Sequence, residues 1–457
     1  MEIEQIAAAP VAANPAAQQT LTARFFRCIF TTIFYLQLIL NSAFVVFLML
    51  RGLVFTNSPN FHPKKWYTPL LSSVAVSGAL SLAWQCFLSC NIAATVKATF
   101  FLTPFLIFSI GIFQIVSTPN VVRWISIVFF IVGLAHAAYC WLYVRGSQRN
   151  FTITIMARST ALLPPRTRLI AVVSVILSVF YSGFLVAGIG GATATRTRLD
   201  ILFISIVMIN LAWTMQVLKN IQEVAISKAR YVYFKRHELM NACDALGATM
   251  RNQLGNVCIG STLLPIYVPI RCTIRTCNMM DDESDRTMYA SNVDCCWIAN
   301  HLVLHGNRYG FVHVGAYNKS FVQASTDTWQ RFRATVGLEE IIDSDITSSV
   351  CFLSAISIGA ISALTAGIWE FYIHKDYYFQ QTLYAFIIGY FVGRVASAWL
   401  QGCVLAYYVA YSEDPQSDIF DDTIPKRIVR QNIEEQKRLA SYEPRRQEDE
   451  PEPTYAS

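Results

Sequence analysis

The chain has 457 residues, of which 54% are hydrophobic and 14% are charged, with a formal net charge of +6. The mean hydropathy is +0.39. This composition excludes a soluble globular protein of that size and indicates an integral membrane protein. The basic residues form no concentrated surface of the kind that binds nucleic acid, so no nucleic-acid partner is expected.

The N-terminal stretch "MEIEQIAAAPVAANPAAQQT" carries acidic residues before its Ala/Pro-rich part. A cleaved signal peptide carries basic residues there instead. We therefore predict that residues 1–24 form a disordered cytosolic tail.

Long uncharged runs follow this tail. A bilayer core of about 30 Å needs about 20 apolar residues per helix, and eight runs of suitable length lack Asp, Glu, Lys and Arg. A ninth run is interrupted by Arg394, and a tenth, over 288–306, is marginal because it contains Asp294. Helices satisfy their own backbone groups in lipid, which predicts an all-α, polytopic membrane bundle of about ten transmembrane helices over 25–412. The predicted spans are about 29–50, 70–93, 98–117, 122–144, 169–190, 200–218, 252–270, 288–306, 346–369 and 380–411.

The loops set the expected orientation. The segment 145–168 has five arginines and no acidic residue, and 219–251 is also rich in Lys and Arg. Such loops face the cytosol, which places both termini inside if ten spans are present. Residues 413–457, of mixed charge, are then expected to form a cytosolic C-terminal tail.

The twelve cysteines do not resemble a secreted disulfide framework, because most lie within or beside apolar runs. Four of them flank a predicted outer loop close to two histidines. A metal site and a disulfide bridge are two alternatives for this group, but its spacing matches no familiar zinc pattern, so no metal is expected. The group is Cys272, Cys277, Cys295, Cys296, His301 and His305.

One predicted span carries a polar ladder. At about 100° per residue its members fall within an arc of roughly 140° on one helix face. Two interpretations compete: hydrogen bonding between packed helices, and the lining of a path for a solute. A Trp beside amides and a carboxylate suits an organic cation. The ladder consists of Asn210, Trp213, Gln216, Asn220 and Glu223.

The same stretch, "LAWTMQVLKNIQEVAISKARYVYF", resembles the Trp-x-x-Gln-x-x-x-Asn helix of the choline transporter-like family. Three further stretches are similar to family motifs in the same order: "LGNVCIGSTLLPIYVPIR", "NRYGFVHVGAYNKSF" and "YYVAYSEDP". The resemblance covers about 201–416. Val232, Asn256 and Asn318 depart from the family pattern, and these departures concern the substrate more than the fold.

The resemblance implies transport of choline, or of a related small organic cation such as ethanolamine, across the plasma membrane or an organelle membrane. Transport would be facilitated or ion-coupled, because the chain has no GxxxxGK[ST] phosphate loop. We therefore expect neither an enzyme nor a cofactor. The alternatives are a receptor, a scaffold and a lipid-head-group enzyme. No oligomeric state is predicted.

A quaternary ammonium donates no hydrogen bond, so aromatic faces are expected to hold it, with an amide or carboxylate oxygen nearby. Trp213 is the leading candidate, and Gln216 and Asn220 continue its face. The other predicted substrate-binding residues are Trp84, Tyr181, Asn210 and Tyr390. The predicted gating or coupling residues are Glu223, Glu370, Arg394, Gly255 and Gly260.

Overall fold

The computed structural model describes residues 21–54, 63–117, 123–143, 147–193, 199–281, 301, 304–373, 378–431 and 433. Within these ranges every regular element is an α-helix. The helices are α1 (Leu21–Val54), α2 (Pro63–Cys90), α3 (Ile92–Ser117), α4 (Arg123–Tyr143), α5 (Ser147–Thr160), α6 (Thr167–Ala192), α7 (Leu199–Arg236), α8 (Ala242–Asn252), α9 (Leu254–Asp281), α10 (Gly310–Tyr317), α11 (Phe321–Ala334), α12 (Leu338–Ser344), α13 (Thr347–Ile373), α14 (Tyr378–Ala396) and α15 (Ala398–Glu413).

The long helices carry large apolar side chains on their outer surface. Phe101, Phe180 and Ile209 are 70%, 72% and 69% exposed, which suits contact with lipid rather than with water. By length and hydropathy, six helices of the described chain are able to cross a membrane, or seven if α14 and α15 form one span. The predicted all-α polytopic bundle is thus confirmed.

The predicted count of ten spans is not established by these helices. The 21 residues of α4 and the 28 of α9 are also long enough to cross a bilayer core, at 1.5 Å per residue. The marginal span over 288–306 lies almost entirely outside the described residues, as does the predicted N-terminal tail.

The span predicted over 380–411 is bent. Helices α14 and α15 meet at Ser397 with an angle of 44° between them. The hydropathy of this span does not predict the bend. It matters because Arg394, near the end of α14, then lies beside a change of direction rather than in a straight helix.

Helix α7 is the central element of the bundle. It packs against α6, α9, α14 and α15, and every residue from Lys219 to Ser227 is buried. A second group of helices packs α13 against α14, α2 and α3. The polar ladder of α7 therefore faces protein over much of its length.

Short helices gather near the C-terminal end of α7, in segments that the hydropathy pattern did not assign to structure. Helix α10 packs against α7 and α11, and α5 packs against α15. The predicted C-terminal tail also begins as packed chain: residues 423–431 are helical, Ile424 is fully buried, and Arg158 Nε lies 3.0 Å from Asp421 Oδ2.

Candidate substrate site

Polar side chains from α1, α6 and α7 meet in a hydrogen-bonded network. The Gln37 amide donates to Asn210 Oδ1 at 2.5 Å. The Asn41 amide donates to the Tyr181 hydroxyl at 3.1 Å, and that hydroxyl donates to Thr214 Oγ1 at 3.1 Å. The network joins two predicted site residues, Asn210 and Tyr181, through partners on α1.

The indole of Trp213 lies beside this network. Its ring meets Phe34 of α1 edge to face, with 5.8 Å between the ring centroids. Phe34 and Gln37 are one turn apart on α1, and Asn210 and Trp213 are one turn apart on α7, so the aromatic pair and the amide pair are neighbours.

Three polar atoms of this region are buried and lack a hydrogen-bond partner within the described chain. They are the indole nitrogen of Trp213 and the amide oxygens of Gln37 and Asn41. Buried polar atoms are normally paired, so unpaired ones at a candidate site can bind polar groups of a ligand. Two acceptor oxygens beside aromatic rings form a set that suits a cation carrying a hydroxyl group.

The sequence did not single out Phe34, Gln37 or Asn41. The signal was nevertheless present, because Gln37 and Asn41 lie four residues apart in an otherwise apolar span. That spacing places two amides on one face of α1, as on α7.

The other aromatic candidates lie elsewhere in the bundle. Tyr390 belongs to an aromatic cluster on α13 and α14, where it stacks on Phe386 at 6.5 Å and meets Phe352 edge to face at 5.9 Å. Trp84 lies on α2, which packs against α6, α13 and α14. Gln216 is half-buried on the Trp213 face of α7.

The end of the ladder forms a buried, charged cluster. The Asn220 amide donates to Ser261 Oγ of α9 at 2.8 Å, which is a helix-to-helix hydrogen bond. Glu223 forms an ion pair with Lys219 one turn earlier, and both side chains are almost fully buried. Arg308 Nε lies 4.0 Å from Glu223 Oε1. Sequence reasoning placed Lys219 in a loop and missed this pairing.

The remaining predicted gating or coupling residues are packed against other parts of the protein. A Cβ atom at Gly255 would overlap the backbone of Arg27 on α1, and one at Gly260 would overlap the rings of Phe311 and Phe321. Glu370, another predicted gating or coupling residue, is fully buried on α13. Arg394 is half-buried and lies within electrostatic range of Lys219 and Glu223.

A second polar cluster surrounds Glu413 at the end of α15. Its carboxylate accepts from the Tyr231 hydroxyl at 2.5 Å and lies 3.0 Å from His313 Nε2. Lys235 Nζ and Arg331 Nη1 lie 3.2 Å and 3.7 Å from it. Burial lowers the pKa of His313 below its usual range. His313 lies in the motif "FVHVGAY" and Glu413 in "YSEDP". The sequence did not predict that these two residues are in contact.

A surface cleft of about 390 Å³ opens between α1, α8 and α9. It is lined by Arg27, Thr31 and Tyr35 on one side and by Arg251 and Gly255 on the other, and Trp213 does not line it. Within the described ranges, no three His, Cys, Asp or Glu residues are arranged to hold a metal ion. Cys272 and Cys277 belong to α9, whereas Cys295 and Cys296 lie outside the described residues.

Comparison with known proteins agrees with the motifs. A family model described as "Plasma-membrane choline transporter" matches residues 112–416. The chain is similar to Protein PNS1 of Mycosarcoma maydis, at 27% identity over 44% of the chain and 41% of the relative. It is also similar to Protein PNS1 of Kluyveromyces lactis, at 21% identity over 78% of the chain and 72% of the relative. The match to Protein PNS1 of Eremothecium gossypii is 20% identical and covers 67% of the chain and 61% of the relative.

Proposed function

The chain belongs to the plasma-membrane choline transporter family, and from that membership we propose that it moves choline, or a related small organic cation such as ethanolamine, across the membrane. Transport is facilitated or coupled to an ion and uses no ATP hydrolysis. The substrate lies between α1, α6 and α7, against Trp213.

The unpaired polar atoms around Trp213 are the observation that carries this proposal. The amide oxygens of Gln37 and Asn41 are buried without partners among the described residues, and Gln37 lies one turn from Phe34, whose ring meets that of Trp213. Aromatic faces attract a quaternary ammonium, and the amide oxygens accept a hydrogen bond from a hydroxyl group. Choline carries both groups.

The driving force follows from the charge of the substrate. A cation gains roughly 2.3 kcal/mol for each 100 mV of inside-negative membrane potential, so the potential alone favours uptake. The side chains of this site are neutral, which allows the cation to leave as well as to enter, because it is not held by a buried carboxylate.

The experiment is radiolabelled choline uptake into proteoliposomes with an imposed inside-negative potential. Wild-type protein is expected to give saturable uptake. The Trp213→Ala variant removes an aromatic contact worth about 2 kcal/mol when desolvated, so its KM is expected to rise roughly 30-fold. Trp213→Phe, which keeps a ring, is expected to retain intermediate affinity.

Trp369→Ala provides the matched control, because Trp369 is 38% exposed on the outside of α13. Its uptake should equal that of the wild type. Equal KM values for Trp213→Ala and the wild type would remove Trp213 from the site. Saturable uptake of neither choline nor ethanolamine by the wild type would favour the non-transporting alternatives, a receptor, a scaffold or a lipid-head-group enzyme.

A further inference from the structure

Two cationic side chains approach one carboxylate on α7, and a third is close enough to interact with it electrostatically. Lys219 forms an ion pair with Glu223, and Arg308 Nε lies 4.0 Å from Glu223 Oε1. Arg394 lies within electrostatic range of both members of the pair. Arg308 is held in place by Ser348 of α13, whose Oγ accepts from Nη1 at 2.7 Å.

The charges of this cluster do not balance. A guanidinium remains protonated in proteins, so Arg308 and Arg394 carry two positive charges against the one negative charge of Glu223. The cluster therefore has an excess of at least one positive charge, whether or not Lys219 is protonated. Across the described part of the chain, no other carboxylate forms an ion pair with these three cations.

The cluster is partly enclosed by protein, and Arg394 is half-buried. The side chains of Lys219 and Glu223 are 1% and 0% exposed, and that of Arg308 is 19% exposed. A buried charge without a counter-charge is costly, because the low-dielectric interior cannot replace its hydration. A bound anion would compensate the charge.

Two neutral hydrogen-bond donors flank the cluster. The amides of Gln222 and Gln401 are 1% and 2% exposed, and neither has an oxygen or nitrogen partner within the described residues. Gln222 lies three residues after Lys219 on α7, which places both on one helix face. Gln401 precedes Gly402, which packs against the backbone of Glu223. The Gln401 amide also faces the thiol of Cys351, which is a weak partner.

The bend at Ser397 lies between two of these residues, three positions after Arg394 and four before Gln401. The change of direction allows α14 and α15 to present a guanidinium and an amide to the same region. In a straight helix, residues seven positions apart are about two turns distant, or roughly 10 Å along the axis.

We propose that Arg308, Arg394 and Lys219, with the Gln222 and Gln401 amides, form a binding site for a small inorganic anion at the bend between α14 and α15. The anion is small because Lys219, Gln222 and Gln401 are at most 2% exposed. This site is separate from the choline site proposed at Trp213, and its occupancy does not depend on which solute is transported.

The test compares thermal unfolding of the purified, detergent-solubilised full chain in chloride and in gluconate at equal ionic strength. Chloride fits a small site and gluconate does not. We expect the wild-type midpoint to be about 2 °C higher in chloride, with a shift that saturates as chloride increases. The chloride NMR linewidth, which broadens when the ion exchanges with a protein site, should be broadened by the wild type.

Arg394→Gln should lose both the chloride-dependent midpoint shift and the excess linewidth. Arg394→Lys, which keeps the charge, should retain part of each effect. It is the variant to measure if Arg394→Gln does not fold. Arg333→Gln is the matched control, because Arg333 is 42% exposed in a surface pair with Glu339 and should respond to chloride as the wild type does. Equal midpoints in the two salts, or an undiminished chloride effect in both Arg394 variants, would show a hydrated cluster without an anion.

Discussion

Glu413 ends the last long helix and ties several elements together. Its side chain is 5% exposed, and it interacts with Lys235 of α7, His313 of α10 and Arg331 of α11. Tyr231 of α7 donates a hydrogen bond to the same carboxylate. One carboxylate therefore holds the short helices against the end of the bundle.

Replacing Glu413 by Gln is expected to destabilise this end of the protein. The variant keeps the shape of the side chain but leaves two cations without their shared counter-charge. Since Lys235 and Arg331 are about a third exposed, solvent reduces the loss, and we expect the free energy of unfolding to fall by about 2 kcal/mol. Thermal unfolding of the detergent-solubilised protein measures the effect.

Glu339→Gln is the control for the loss of one acidic residue. Glu339 pairs with Arg333 at 3.4 Å on the surface, where both side chains are well exposed. Exposed pairs contribute little, so this change is expected to stay within about 0.5 kcal/mol of the wild type. A Glu413→Gln variant as stable as Glu339→Gln would mean that the cluster does not hold the short helices.

Trp213 and Gln37 show which site residues a local sequence pattern can predict and which it cannot. The sequence predicts Trp213 as a site residue because polar residues recur around it at helical spacing. It could not identify Gln37 as the partner of Asn210, because the two residues are 173 positions apart and no local pattern encodes that contact.

Helix α7 has two different halves. Its first half is mostly apolar, apart from Asp200 in the first turn and the polar residues around Asn210, and its second half includes the buried charged residues Lys219, Glu223 and Arg230. The ladder predicted on one face therefore divides into two groups of contacts. Asn210 and Trp213 face α1, whereas Asn220 and Glu223 meet α9 and the arginines.

Helices α1 and α9 approach each other closely at Gly255. A methyl group there would overlap the carbonyl oxygen of Arg27, which is backbone and cannot rotate away. Gly255→Ala is therefore expected to push the helices apart and to lower the free energy of unfolding by about 1–3 kcal/mol. Thermal unfolding in detergent measures the change.

Gly247→Ala is a sharply matched control. Gly247 lies within α8, and a Cβ atom added there would meet nothing within 4 Å. The same substitution should raise stability at this position by about 0.5–1 kcal/mol, since alanine favours the helix. If both variants changed the free energy of unfolding in the same direction, the close approach of α1 and α9 would not be the reason that position 255 needs glycine.

At the scale of the whole molecule, the number of spans decides on which side the termini lie. Seven spans result when α14 and α15 are counted together. Adding α4, α9 and the predicted span over 288–306 gives ten, the even number that the charged loops favour. An even number places both termini on one side of the membrane.

Epitope tags on the two termini test this topology. We expect antibodies to reach both tags only after the plasma membrane is permeabilised, because the Arg-rich segment 145–168 and the Lys/Arg-rich segment 219–251 belong on the cytosolic side. A tag inserted in the predicted outer loop at 194–198 serves as the accessible control. Tags on opposite sides would indicate an odd number of spans and would favour a receptor.

The sequence by itself determined that this is an all-α membrane protein and, through four short motifs, to which family it belongs. It also determined which face of α7 is polar. These properties are local, because a run of apolar side chains suits lipid and a helical repeat fixes which residues share a face.

Only the tertiary structure decided which polar residues meet. It joined Gln37 and Asn41 to the ladder, brought Arg308 and Arg394 to the buried Lys219–Glu223 pair, and bent the last span at Ser397. Partners of this kind lie far apart along the chain. Which of them come into contact depends on how the helices pack, because a buried charge is stable only where the packing brings a suitable partner close to it. The spacing of residues within one helix does not determine this.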